Sequence, residues 1–84
     1  MKIRIRLFSD FQEVFRKKNL EIEVENEITI MELIKLLTIR FPKMEKLTKY
    51  PEYYSILLNG RYSKLTQILK DNDVVDLFTV IEGG

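Results

Sequence analysis

Val74-Val75-Asp76-Leu77-Phe78-Thr79-Val80-Ile81-Glu82-Gly83-Gly84 is the stretch on which the fold turns. From Val74 to Ile81 it is apolar at odd and even positions alike, apart from Asp76 and Thr79. Apolarity on both faces marks a central strand. The strand runs straight into Gly83-Gly84, two of only three glycines in the chain. At an average usage of about 7%, glycine at both of two given positions arises by chance roughly once in two hundred. Glycine has no Cβ, so its backbone passes where other residues clash. The ending therefore reads as a flexible tail, 82–84, that threads the Gly84 carboxylate into a narrow active site on another protein. The plain alternative is a frayed end.

Outward from this strand, the other elements declare themselves by period. Lys2-Ile3-Arg4-Ile5-Arg6-Leu7-Phe8 alternates basic with apolar, and Leu20-Glu21-Ile22-Glu23-Val24-Glu25 alternates apolar with acidic. Both are strands with one buried face. Paired antiparallel, they set Lys2, Arg4 and Arg6 on the same solvent face as Glu21, Glu23 and Glu25, which specifies register more than it supplies stability. Phe11, Val14 and Phe15 predict a short helix starting near Ser9 or Asp10 and capping one end of the core, with Asn19 as its left-handed exit.

Thr29-Ile30-Met31-Glu32 is a capping box, and Ile28 with Leu33 has the spacing of a hydrophobic staple. Ile30, Leu33, Ile34, Leu37 and Phe41 form one apolar stripe until Pro42 bars continuation, so a helix is predicted over roughly 29–41. Lys43 to Glu52 reads as a polar connection with some helical character and a break at Pro51. Tyr54 to Leu58 is a strand, Asn59-Gly60 a hairpin turn, and Arg61 to Leu65 a short return strand. Thr66 to Leu69 packs nearby, and Asp71-Asn72-Asp73 turns the chain into the final strand. Placing that last strand beside the first and parallel to it satisfies the right-handed crossover rule. The predicted fold is α+β: a single domain over 1–84, a mixed four- to five-stranded sheet with one main helix on one face, the β-grasp arrangement.

Composition narrows the chemistry. At 84 residues the chain buries one thin core. Lys and Arg number 14 against 13 Asp and Glu, a net charge of +1, which makes no electrostatic case for nucleic acid or a membrane surface. No apolar run is long enough to span a bilayer, and the basic start leads into no signal-like segment, so a cytoplasmic location is expected. With no histidine and no cysteine, Ser/His/Asp and Cys/His catalysis, disulfides and Cys-based metal sites are excluded. No Gly-rich phosphate loop exists either, since Gly60 is the one glycine inside the chain. We expect neither a metal nor a cofactor bound by this chain, and no independent catalysis.

In this arrangement the sequence resembles the MoaD/ThiS sulfur-carrier family, the small subunits of molybdopterin synthase and the thiazole-synthesis carriers. The likeness is carried by the opening strand with Phe8-Ser9-Asp10-Phe11-Gln12-Glu13-Val14, by Thr29-Ile30-Met31-Glu32-Leu33, by Leu58-Asn59-Gly60, and by Asp71 through Gly84. Lys43 to Tyr53 matches least. The resemblance implies that an activating enzyme of the ubiquitin-activating type uses ATP and Mg²⁺ to adenylate Gly84. A sulfur donor then displaces AMP to leave a thiocarboxylate, delivered inside the large subunit of molybdopterin synthase. The long connections 9–19 and 43–53 look like the molybdopterin type. Thr79 and Val80, where that type often has prolines, and Gln12, where it often has arginine, depart from it, and Leu77 to Gly84 reads more like a thiazole-type tail. Other uses of the same tail are attachment to lysines as a ubiquitin-like modifier, or none at all in a plain β-grasp interaction domain.

With Val75 and Leu77 toward the helix, Phe78 and Val80 point to the other face and, with Ile81 and Glu82, form the expected partner-binding approach to Gly83 and Gly84. The alternative is that the segment 43–53 covers Phe78. Arg61 and Lys70 are candidates to fringe the patch.

Overall fold

The computed structural model describes residues 1–80. In chain order it contains β1 (Lys2–Leu7), α1 (Ser9–Phe15), β2 (Asn19–Glu23), α2 (Ile30–Arg40), a 3₁₀ turn at Pro42–Met44, α3 (Glu45–Thr48), a second 3₁₀ turn at Pro51–Tyr53, β3 (Tyr54–Leu58), β4 (Arg61–Tyr62) and β5 (Val74–Thr79). The five strands form one sheet in the order β2-β1-β5-β3-β4. β5 pairs parallel with β1 (Arg4 opposite Val74, Leu7 opposite Leu77) and antiparallel with β3 (Tyr54 opposite Thr79). The last strand thus lies inside the sheet, as its apolarity requires. The architecture is β-grasp: a mixed five-stranded sheet with one main helix on one face.

Alternation assigns the two faces. Ile3, Ile5 and Leu7 of β1, Ile22 of β2, Tyr54 and Ile56 of β3, and Val75 and Leu77 of β5 are buried together with Ile30, Leu33, Ile34 and Leu37 of α2. The capping box is formed as read. The Glu32 amide donates to Thr29 Oγ1 at 3.1 Å, and the Thr29 amide donates to Glu32 Oε1 at 3.0 Å. The helix closes where Phe41 donates to the Leu37 carbonyl, one residue before Pro42. Phe15, at the end of α1, packs on Phe41 with ring centroids 4.5 Å apart. Asn59 and Gly60 both have positive φ, 51° and 87°, as a two-residue primed hairpin turn demands.

Four details differ from the sequence reading. The left-handed exit from α1 is Arg16 (φ 56°), not Asn19. Asn19 is extended because it opens β2 and pairs with Arg6. β4 ends at Tyr62 and does not reach Leu65, because the segment after it turns to serve the start of α2. There the carbonyls of Leu65 and Gln67 accept from the amides of Met31 and Ile30, donors that a helix start otherwise leaves unpaired. Glu25 lies beyond β2: Lys2 and Arg4 meet Glu21 at 4.0 and 3.5 Å, and Arg6 finds its acid elsewhere. The connection 43–52 is not merely polar, since Met44 is fully buried and ties it to the core.

Among the described residues no helix is long and apolar enough to cross a membrane.

Thr29→Ala is expected to lower stability by about 1 kcal/mol, a typical loss for a cap. In a domain of this size that is a fall of roughly 4–8 °C in Tm, read by thermal unfolding. Burial raises the pKa of Tyr54 above the ordinary tyrosine value of 10.0. The folded state holds that proton more tightly, so the associated stability is complete below pH 10 and is lost as pH rises through the raised folded value. Tyr54→Phe should therefore flatten the fall of Tm above pH 10, measured in an alkaline melting series.

Candidate functional site

The helix covers one face of the sheet and leaves the other open. On β5 the residues that alternate away from α2 are Val74, Asp76 and Phe78, followed by Val80. Strand pairing sets Leu57 beside Asp76, Ser55 beside Phe78, and Tyr62 beside Leu57. Phe8 joins them from the end of β1, where its amide donates to the Leu77 carbonyl at 2.9 Å. The chain then reverses at Ser9, which takes a left-handed φ of 54°.

The result is a groove of about 330 Å³ lined by Phe8, Ser9, Leu57, Asp76 and Phe78. Phe8 is 41% exposed, Val80 46% and Tyr62 77%, whereas Phe78 is half-buried in the groove wall. Apolar side chains thus gather on the open face at the end of β5 that leads toward the tail. Such clustering is a feature of docking surfaces. The segment 43–53 does not line this groove. It packs against α2, and its link to the strand end is the backbone bond from Val80 N–H to the Tyr53 carbonyl, 3.1 Å long. Arg61 is paired with Leu58, one position out of phase with Tyr62, and Lys70 sits at the Asp73 turn by the far end of β5. Neither borders the groove. Of the residues read as the site, Phe78 and Val80 lie on this face, while Ile81, Glu82, Gly83 and Gly84 are outside the described residues.

The floor of the groove is an acid. Asp76, the buried charged residue of the described chain, is 4% exposed. Arg6, its parallel partner across the ladder, grips it with two bonds: Nε donates to Oδ1 at 2.6 Å and Nη2 to Oδ2 at 2.7 Å. A bidentate guanidinium is the arrangement that best offsets the desolvation of a carboxylate. The hydrogen bond to Asp76, then its charge, raises the arginine pKa further above its already high value. The guanidinium also lies over the Phe8 ring, 5.7 Å from its centroid.

Sequence reading passed over Phe8, Leu57, Tyr62 and the Arg6–Asp76 pair as site residues. The signal for Phe8 was present, since it continues the outward series Lys2, Arg4, Arg6 as the first apolar member. Leu57 and Asp76 become neighbours only through the register of β3 on β5. Among the described residues no group of His, Cys, Asp or Glu is placed to hold a metal ion.

A family model described as the ThiS family matches residues 5–84. Among solved structures, the chain is similar to a putative molybdopterin converting factor, subunit 1, from Pyrococcus furiosus. That match has 28% identity and a TM-score of 0.84, and it covers 96% of this chain and 99% of the other. It is also similar to SAMP1 from Haloferax volcanii (22% identity, TM-score 0.85, all of both chains). A third likeness is to a chain in the complex of subunits 1 and 2 of the molybdopterin-converting factor from Helicobacter pylori (22% identity, TM-score 0.65, all of both chains). No curated protein matches the sequence.

Arg6→Gln leaves Asp76 buried without its counter-charge and should lower Tm. Adding Asp76→Asn removes the stranded charge and should restore part of the loss, as a double-mutant thermal cycle will show.

Proposed function

The chain belongs to the ThiS family, the ubiquitin-like sulfur carriers and modifiers of the MoaD/ThiS type, and on that premise we propose that it is the sulfur-carrying small subunit of a molybdopterin synthase. The observation that carries the proposal is the placement of β5. The strand that precedes the tail in sequence is held on both edges, and its outward Phe78 joins Phe8 and Leu57 in an apolar groove floored by Asp76.

Gly84 is the reacting residue. In the activating enzyme its carboxylate oxygen attacks the α-phosphorus of Mg²⁺-bound ATP, pyrophosphate leaves, and a mixed anhydride with AMP forms. Sulfide-level sulfur (HS⁻) released by a donor then attacks the carbonyl carbon, the C–O bond to AMP breaks, AMP leaves, and loss of the S–H proton gives a terminal thiocarboxylate. Adenylation supplies a leaving group, and carriage on a folded body raises the effective concentration of sulfur inside the acceptor. The small diglycine lets the chain pass through a narrow channel. This chain contributes no acid, base, metal or cofactor to these steps and acts as a non-catalytic carrier in the cytoplasm. Phe78, Val80, Ile81 and Glu82 form the approach that the adenylyltransferase and the large subunit grip in turn.

The molybdopterin assignment is supported by the long connections at 9–19 and 43–53, and by the name of the Pyrococcus furiosus relative. A hetero-oligomer with a large subunit is supported by the Helicobacter pylori complex. A thiazole-type carrier role shares the activation chemistry and differs in the acceptor. Attachment of Gly84 to lysines as a protein modifier is favoured by the likeness to SAMP1 and predicts branched Gly-Gly remnants on lysines in digests of source cells.

Incubation with the activating enzyme, ATP, Mg²⁺ and a sulfur source should add the mass of one oxygen exchanged for one sulfur, seen by intact mass spectrometry. Deletion of Gly83-Gly84 should abolish that change while the thermal transition persists. Sulfur transfer by the truncated chain would overturn the reading. Phe78→Ala, which removes a central apolar anchor, should weaken affinity for the activating enzyme by about tenfold or more in a direct binding titration.

A further inference from the structure

The Arg6–Asp76 pair has a polarity that core packing leaves unexplained. The carboxylate side chain is 6% exposed, whereas the arginine side chain is 55% exposed. A guanidinium has two forked edges. Asp76 occupies the edge formed by Nε and Nη2. The Nη1 amino group and the second hydrogen of Nη2 form the other edge, and no acceptor among the described residues takes a hydrogen bond from it. The neighbour of Arg6 on β2 is Asn19, which is neutral, while the two acids of that strand are drawn elsewhere, Glu21 to Arg4 and Lys2 and Glu23 to the N-terminal ammonium.

Arg6 adjoins the apolar groove without lining it: it is tied to two of the lining residues, Asp76 and Phe8, and itself lines the neighbouring hollow over β1 and β2 with Arg4, Asn19 and Glu21. Arg6 lies over Phe8, and Asp76 is the groove floor between Leu57 and Phe78. A partner that covers Phe8 and Phe78 must also take water from the outer edge of Arg6. Burying those donors without an acceptor is costly, whereas a carboxylate matches the fork in geometry and charge. Asp76 fixes the guanidinium in place beforehand, so little side-chain entropy is lost when the second carboxylate arrives.

We infer that Arg6 is the polar anchor of the docking face and that its outer Nη1/Nη2 fork receives an Asp or Glu side chain of the activating enzyme. Asp76 is a positioning residue that aims the fork. Lys2 and Arg4, the other bases of the strand, are met by Glu21, so among the described residues Arg6 is the base of this row whose outer edge faces no acid. The inference rests on the carrier reading and adds to it the chemistry of the partner's contact and the residue that selects it.

The test is ATP–pyrophosphate exchange by the adenylyltransferase of the source organism, produced as a recombinant protein, with this carrier as the varied substrate. In Arg6→Gln the KM for carrier should rise about tenfold or more, the change falling on KM and not on kcat. The double variant Arg6→Gln/Asp76→Asn has no stranded charge, so it keeps the test valid if the single variant fails to fold. Its KM should remain raised, and it should be less sensitive to added NaCl than that of the wild type. Arg6→Lys, which keeps the charge but loses the fork, should recover only part of the affinity. A wild-type KM in the double variant would mean that Arg6 serves only to neutralise Asp76, and would overturn the inference. So would an unmoved KM in every variant. Absence of exchange with the wild-type carrier would instead overturn the carrier reading and this inference with it.

Discussion

The parallel ladder between β1 and β5 is the constraint on which this molecule is built. Arg4 to Leu7 must meet Val74 to Leu77, so the two ends of the described chain lie side by side in the middle of the sheet. Buried backbone amides and carbonyls need partners, and β5 finds them on both edges because β3 flanks it on the other side. Parallel neighbours need a crossover, and α2 belongs to the one used here. The helix therefore lies over one face, and that face alone is closed. The opposite face is left open at the place where β5 leads toward the tail.

That division gives the two faces different chemistry. The helix side is apolar and closely packed, with Ile3, Ile5, Leu33, Leu37, Val75 and Leu77 without accessible surface. The open side is graded. Charges dominate over β2 and β1, where Glu21 serves both Arg4 and Lys2, and exposed ion pairs of this sort add little stability. Toward β5 and β3 the surface turns apolar, through Phe8, Leu57 and Phe78. Arg6 and Asp76 sit at the boundary. An acid buried in the central strand is an expensive choice for a small domain, and its arginine stays half in water. Both facts make sense if the pair belongs to a surface that another protein completes.

A chain without histidine or cysteine lacks the side chains of Ser/His/Asp and Cys/His catalysis. Under the proposed carrier role its tasks are to stay folded, to be recognised, and to present a terminus. The rigid strand, the groove beside it and the ThiS family match are consistent with that division of labour, in which the enzymes that grip the body supply the reactive groups.

The residues alone determined the helix with its capping box, the two alternating strands, the Asn59-Gly60 turn, the central place of the last strand and the diglycine ending. Each is written in a period or a spacing of a few residues, and backbone geometry reads such patterns directly. Phe78 and Val80 were legible for the same reason, since strand alternation turns them away from the helix. Tertiary structure decided what lay beside what. It moved the α1 exit to Arg16 because Asn19 was needed in the ladder, shortened β4 to serve the start of α2, buried Met44, and joined Phe8, Leu57 and Phe78 into one groove. It also set Arg6 against Asp76, 70 positions away in the chain. No local pattern encodes that pairing, because the register between strands distant in sequence is chosen by the packing of the whole core.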